Sequence, residues 1–378
     1  MHHFIFPTQD TWISSGSNKI DGTPETDQNF GRDEILEVKK FFHNNSFDYP
    51  TRALVSFAGD SFNKLTESIN NGDIPAPTAV GAVSSATNSQ YFLKLYEAEG
   101  NSELVSGNYT LAVQPISSSW VEGIGKFGDK PKVTDGCSWD NRSNPNSGVA
   151  RAWTTTGGDV HSVSSSEQTF SNQSPDVNVE VTNMFRMWKN AQEENHGMLI
   201  RFSGSQETNS ITTGNLKFFS KDTSTIYSPK LEVRWNDATF DNSVTSSLNE
   251  LTMSGLADNY LYMRGLKDSY KENDRVKFRV GARKRYIQKT FSESVQNLTG
   301  SYVTKGSGSY AIKDIATDEF IIPFSAYTSM SYDSEGSYFN QWLDGFYPDR
   351  VYKILLKLKY DDGQEQIFDD NFEFKVKR

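Results

Sequence analysis

The sequence predicts an all-β chain of two tandem β-sandwich domains, the first jelly-roll-like and the second immunoglobulin-like, with one or two short helices. Three observations carry that expectation. The 25 Phe and 17 Tyr mix with Val, Ile and Thr in short runs, the residue types that fit a pleated, half-buried surface. Those runs alternate apolar and polar positions and are punctuated by Gly, Asn, Asp and Pro, which is strand and turn chemistry. At 378 residues, the chain also exceeds what one hydrophobic core usually supports. Large rings bury much area each, so small cores suffice although hydrophobic residues make up only 35% and the mean hydropathy is -0.61.

In chain order, FIF and the segment Thr11, Trp12, Ile13 open as strands. Two more candidates follow, DEILEVKKF, in which Ile35, Leu36 and Val38 do not alternate cleanly, and TRALVSF, covered on at least one face. His43 lies in the polar loop between them, with no second His or Cys at ligand spacing. Phe62, Leu65 and Ile69 recur at helical spacing, and residues 71 to 90 read as a connector rich in Pro, Gly, Ala and Ser. In YFLKLYEAEG, Tyr91, Leu93 and Leu95 form the apolar face and Phe92, Lys94 and Tyr96 the more polar one; Tyr109, Leu111 and Val113 alternate in the next strand. Thr182 reads as an N-cap ahead of a helix with the apolar stripe Met184, Phe185 and Trp188, closed by Gly197 before the strand MLIRF. The pattern of LEVRW places Glu232 and Arg234 on a wet face.

Residues 236–250 are polar and unpatterned, so the sequence divides into domains 1–235 and 251–378 with 236–250 as linker. Beyond it, Arg275, Lys277 and Arg279 alternate with Val276, Phe278 and Val280, which lines cations along one strand face, and Arg283, Lys284 and Arg285 extend the patch. Such a face is either solvated or docks on an acidic partner surface, for instance another subunit. YDDGQEQIF reads as a hairpin with turn geometry supplied by Asp-Asp-Gly, and FEFKVKR as a closing strand.

The chain is organised around residues 118–159, a Gly/Ser/Asn-rich stretch holding Trp120, Trp139 and Trp153, which reads as a long loop packed by its own aromatics. Tryptophans beside Asn and Asp suit a pyranose ring, so Trp120, Trp139, Trp153 and Asp159 are candidate glycan contacts. The adjoining glycines favour the other role for these residues, pinning the loop to its own sandwich. Glu122, Asp135, Asp140 and Asp159 are the acids from which a glycosidase pair would have to come, yet acids in turns mostly bond their own backbone. The sequence holds no Gly-rich phosphate loop, no pair of histidines at zinc spacing and no Gly-x-Ser-x-Gly elbow, so no enzyme and no cofactor is expected. If a cation is held, calcium is the candidate, with Asp10, Asp135 and Asp159 as ligands.

A formal charge of -10 opposes binding to nucleic acid and to anionic membranes. Cys137, the single cysteine, reads as a buried small hydrophobe. The opening MHHFIFPTQD lacks the basic start and apolar core of a signal peptide. Together these traits predict a protein made in a reducing cytoplasm.

Two resemblances add to this reading. The first 235 or so residues resemble the DNRLRE-type β-sandwich module of bacterial and archaeal wall or carbohydrate-associated proteins. The matching pieces are Gln9-Asp10-Thr11-Trp12, Asn29-Phe30-Gly31, Arg52 to Phe57, Trp120-Val121-Glu122-Gly123, Cys137-Ser138-Trp139, Trp153 with Gly157-Gly158-Asp159, Val181-Thr182 through Trp188, Asn195-His196-Gly197 and Ser228 to Leu231. The stretch 61–90 departs from that module's short connection. Roughly the last 120 residues resemble the C-terminal portion of virion structural proteins of contractile-tailed phages of marine bacteria. The pieces are Arg279-Val280 with Arg283, Asp318 to Phe324, Asp333 to Phe339, Gly345 to Arg350 and Phe372 to Arg378. This second resemblance implies a non-enzymatic virion protein, made in the host cytoplasm and located on the head, neck or tail. Its partners would be other virion proteins, in a homo-oligomer or symmetric array, with a surface glycan as the alternative ligand.

Overall fold

The computed structural model describes residues 1–16, 24–40, 49–77, 88–98, 108–145, 148–171, 176–209, 211–241, 248–254, 258–286, 290–295 and 300–378. His43 lies outside them. The protein is all-β, built from several sheets with, among the described residues, three short helices, Asp60–Asn70, Thr182–Lys189 and Gly204–Thr208. It divides into a first unit, Ile5–Val233, and a second, Arg234–Arg378 together with Met1–Phe4.

In the first unit five strands run antiparallel in the order Gln9–Ser14, Thr51–Ser56, Met198–Phe202, Asn108–Pro115, Ser166–Ser171. Lys230–Arg234, Gln90–Leu95 and Val177–Glu180 lie side by side in a further sheet. Ile35–Lys40 pairs with Gly214–Phe219, and the latter continues past Leu95, Phe219 donating its N–H to the Tyr96 carbonyl at 3.0 Å. Helix Asp60–Asn70 buries Phe62, Leu65 and Ile69, the positions its period selects. The second helix differs from expectation at its start. Val181 is its N-cap, while the Thr182 hydroxyl accepts the Tyr91 N–H at 3.0 Å and donates to Glu180 at 2.8 Å. The side chain that would have capped the helix serves the neighbouring strand, and Phe185 stacks on Tyr91 at 3.7 Å. Gly204–Thr208 has no apolar stripe to announce it.

Two buried charges overturn the face assignments. Ile35–Lys40 does alternate, with Leu36, Val38 and Lys40 inward; Lys40 hides the period because its ammonium donates to the carbonyls of Gln206, at 2.9 Å, and Asn209. Glu232 is fully buried rather than wet, paired with Lys94 at 2.8 Å. Both are charges with partners, the condition under which burial is tolerated.

The second unit is a two-sheet sandwich. One sheet runs Asn249–Glu250, Ser301–Tyr302, Arg275–Lys284, Gly336–Trp342, Ser331–Asp333, with Asn259–Arg264 on the other side of Arg275–Lys284. The other runs Ser269–Lys271, Glu365–Lys377, Val351–Lys359, Gly308–Asp314, Phe320–Ile322. The sheets face each other through Phe278 against Phe374, 5.3 Å between ring centres, and Tyr310 stacked on Phe339 at 3.9 Å. Their shared core takes Leu261, Val280, Ile312, Ile354 and Leu356. The Asp-Asp-Gly turn closes the hairpin, with Gly363 at φ 86° and its N–H on the Tyr360 carbonyl. Residues 1–4 belong here, not with the segment that follows them: Phe4 joins this core and Gln341 donates to the His2 carbonyl at 2.8 Å. The described residues 236–241 and 248–250 are likewise part of the unit. Asp241 donates to the Tyr332 carbonyl and Tyr332 to that of Thr239, while Asn249–Glu250 pairs in parallel with Ser301–Tyr302. Such pairing uses backbone groups over two or three residues, too short a run to leave an alternating pattern in the sequence.

Candidate functional site

The loop 118–159 is a third layer on the first unit. Strand Thr51–Ser56 is buried on both faces: Ala53 and Val55 point one way, while Leu54 points the other, with Ile13 and Leu199 of the neighbouring strands. On Ile13, Leu54, Ile116 and Leu199 sit Trp120, Trp153 and Cys137, with Trp139 packed against them. Trp120 is 6% and Trp153 4% exposed, and each indole N–H finds a carbonyl at 2.8 Å, His196 for the first and Ser138 for the second. Neither ring has a face open for a sugar. Trp139 is half-buried, with the Arg52 guanidinium 4.7 Å from its ring centre. Arg52 is fixed in turn: it grips Glu207 with two N–H groups at 2.8 and 3.0 Å and the Gly157 carbonyl at 2.7 Å, while Arg201 reaches Glu207 at 2.7 Å.

The other end of the loop closes on Asn29, which the sequence reading named only as a piece of the first resemblance and gave no role. Its buried amide donates to the carbonyls of Glu122 at 2.6 Å and Cys137 at 2.8 Å, and its oxygen accepts the N–H groups of Gly31 at 3.1 Å and Gly125 at 2.8 Å. Glycines let the backbones come this near. A Cβ on Gly123, at φ 86°, would lie 2.1 Å from the Asp135 carbonyl oxygen, and one on Gly31 2.2 Å from that of Glu122. Beside this knot Trp12 stacks on Phe30 at 3.7 Å and donates to Asp33 at 2.8 Å.

The acids separate into different roles. The Asp159 carboxylate accepts from Ser118 at 3.0 Å and from the N–H groups of Thr154 and Thr155 at 3.0 and 2.7 Å. Burial alone would push its pKa up, but these donors outweigh it and hold the group below the usual carboxylate range. Asp10 stands elsewhere, with Glu122 and Asp222; their oxygens lie within 4.8 Å of one another, whereas Asp10, Asp135 and Asp159 form no such group among the described residues. The proposed calcium ligands are therefore not brought together. Around Asp10 a cation is already built in: the Lys221 ammonium lies 3.1 Å from Glu122 and 3.3 Å from Asp222, and the backbone N–H of Lys221 donates to Asp10 at 2.6 Å.

Burial pushes the Asp10 carboxyl up to about 7 against the pull of Lys221. In the folded protein it then keeps a proton, between about pH 4 and pH 7, that the unfolded chain has already released, so it destabilises progressively as pH rises through that window. Asp10→Asn is expected to flatten the fall in stability between pH 5 and pH 8 and to make the first unit more stable at pH 8, on the order of 2–4 kcal/mol, as read by urea unfolding. Asp33, pushed up by burial to about 6, leaves a residual slope of the same sign. An unchanged pH profile would show that Asp10 is ionised throughout.

In the second unit Arg275, Lys277, Arg279 and Arg283 share one sheet face and interleave with aromatics, and Arg285 lies 6.0 Å from the Tyr260 ring of that face, whereas Lys284, opposite buried Asn259, has the parity of the core side at the strand's end. Lys277 lies 3.9 Å and the Arg279 guanidinium 5.2 Å from the centre of the Tyr338 ring, Arg275 is 5.4 Å from Trp342, and Arg283 5.0 Å from Tyr260. Tyr262 covers Gly281, where a Cβ would come within 2.3 Å of its ring. Part of the charge is met internally: Asp333 pairs with Arg279 at 2.5 Å and Lys277 at 3.3 Å, Glu335 with Arg279 at 3.0 Å, and exposed Asp258 with Arg285 at 3.4 Å. Arg275 and Lys284 are exposed and make no ion pair with a described residue. No helix among the described residues is long and apolar enough to cross a membrane. A scan against protein-family models and a search of curated proteins return no match to the chain.

Proposed function

We propose that the chain is a non-enzymatic structural protein of a phage virion, a head, neck or tail component that assembles, decorates or anchors fibres. In this reading it works by protein–protein contact, with the second unit's cationic face docking on the particle. The observation that carries the reading is that face itself. It offers Arg, Tyr and Trp side chains in mutual contact, and these three residue types are enriched among the few residues that dominate binding energy at protein interfaces. The first unit supports the reading as a rigid body, its long loop locked by Asn29, Trp120 and Trp153. The alternative, a glycan-binding module, rests on half-buried Trp139, since the other two rings of the loop are covered.

Quantitative mass spectrometry of purified particles against the major capsid protein tests the proposal. A fixed number of about six to eighteen copies is expected for a neck or tail component, and hundreds for a head-surface protein, since virion parts repeat by symmetry. Absence from particles would overturn it.

A further inference from the structure

Charge divides unevenly along the chain. Of the formal -10, residues 5–233 carry -9, with 18 Lys and Arg against 27 Asp and Glu, and the rest of the chain carries -1. The near-neutral unit is the one that gathers Arg275, Lys277, Arg279 and Arg283 on a single sheet face, with Arg285 beside the Tyr260 ring of that face. We infer that this face is a self-association surface that receives the acidic Ile5–Val233 unit of a second copy, head to tail. The inference rests on the docking role proposed above and names the partner.

Three observations lead to it. Arg275 is exposed and makes no ion pair with a described residue, and the Arg285 pair with Asp258 is itself exposed, so it is worth little and is free to exchange. Stacking on Trp342, Tyr338 and Tyr260 holds the cations in place before a partner arrives, which lowers the entropy lost on docking. Finally, the acidic unit of another copy is a complementary surface, while the chain's overall negative charge opposes nucleic acid as occupant. Because the two contributing surfaces differ, the contact is heterologous and repeats, closing into a ring or running on as a fibre.

Sedimentation velocity of the full chain over a concentration series tests this. At about 0.01 M salt, with a screening length of about 30 Å, a concentration-dependent oligomer is expected, dissociating at about 1 M, where that length is about 3 Å. Arg275→Glu combined with Arg285→Glu is expected to keep the circular dichroism and melting temperature and to raise the apparent Kd at least about tenfold. Lys359→Glu, an exposed position on the opposite sheet, serves as control and should leave association unchanged. A monomer at every concentration in low salt, an unchanged Kd in the double variant, or an equal loss in the control would each overturn the inference. A chain found on particles yet monomeric in solution would remove self-association and keep the virion role. Association without presence on particles would do the reverse.

Discussion

An Asn29→Ala chain is expected to lose the fold of its first unit. The asparagine uses two donors and two acceptor positions on four backbone groups that have come together through glycine contacts, so truncation orphans the carbonyls of Glu122 and Cys137 and the N–H groups of Gly31 and Gly125. Each buried polar group left unpaired costs about 1–3 kcal/mol. Even the low end sums to about 4 kcal/mol, comparable with the whole stability of many domains. Asn29→Asp should do no better, because a carboxylate oxygen would then face the two carbonyls that now accept hydrogen bonds. Urea unfolding followed by tryptophan fluorescence reads this well, since five of the seven tryptophans lie in the first unit. A loss below about 1 kcal/mol would mean that water replaces the amide and that the knot is not what holds the loop.

Trp153→Ala is expected to cost about 3–5 kcal/mol, the range for deleting a large buried ring. The indole lies on Leu54, Leu199 and Cys137 and satisfies the Ser138 carbonyl, so the variant forfeits packing and a hydrogen bond together. Trp139→Ala should cost less, about 1–2 kcal/mol, because that ring is half-buried and its chief polar contact is a cation–π one. The pair separates the two readings of the loop. If it is scaffold, stability falls in the order Trp153 then Trp139 and no glycan affinity is lost. A Trp139→Ala chain that melts as before but no longer binds an oligosaccharide retained by the parent would instead favour the sugar-binding module.

How much of this was legible before the structure depends on how locally each feature is encoded. Strands such as Gln90–Leu95 and helix Asp60–Asn70 follow directly from period, because each residue's burial is set by its own place in the pattern. Lys40 and Glu232 break the rule: their partners, Gln206 and Asn209 for the first and Lys94 for the second, lie far along the chain, and a charge read without its partner looks wet. The role of Asn29, named only within the resemblance, went unread for a related reason. The glycines at 31, 123, 125 and 136 signalled close backbone approach, but the group they approach stands 93 to 108 residues from the carbonyls it holds. The expectation that the tryptophans pin the loop to its own sandwich agrees with the burial of Trp120 and Trp153, whereas grouping Asp10 with Asp135 and Asp159 had only residue type to rest on. The cationic face was visible from alternation along Arg275–Arg279. Its aromatic layer was not, since Tyr260, Tyr338 and Trp342 arrive from two other strands.

The burial of Cys137 has a practical use. Its thiol is 0% exposed under the tryptophan layer, and burial pushes its pKa up, so the reactive thiolate is suppressed while the fold is intact. A native chain thus offers maleimide reagents no background site. A cysteine in place of exposed Asp361, beside the Asp362–Gly363 turn and leaving Gly363 its positive φ, becomes the one handle for a fluorophore or gold cluster. The chain can be tagged at a chosen point for imaging without first deleting any residue of its own.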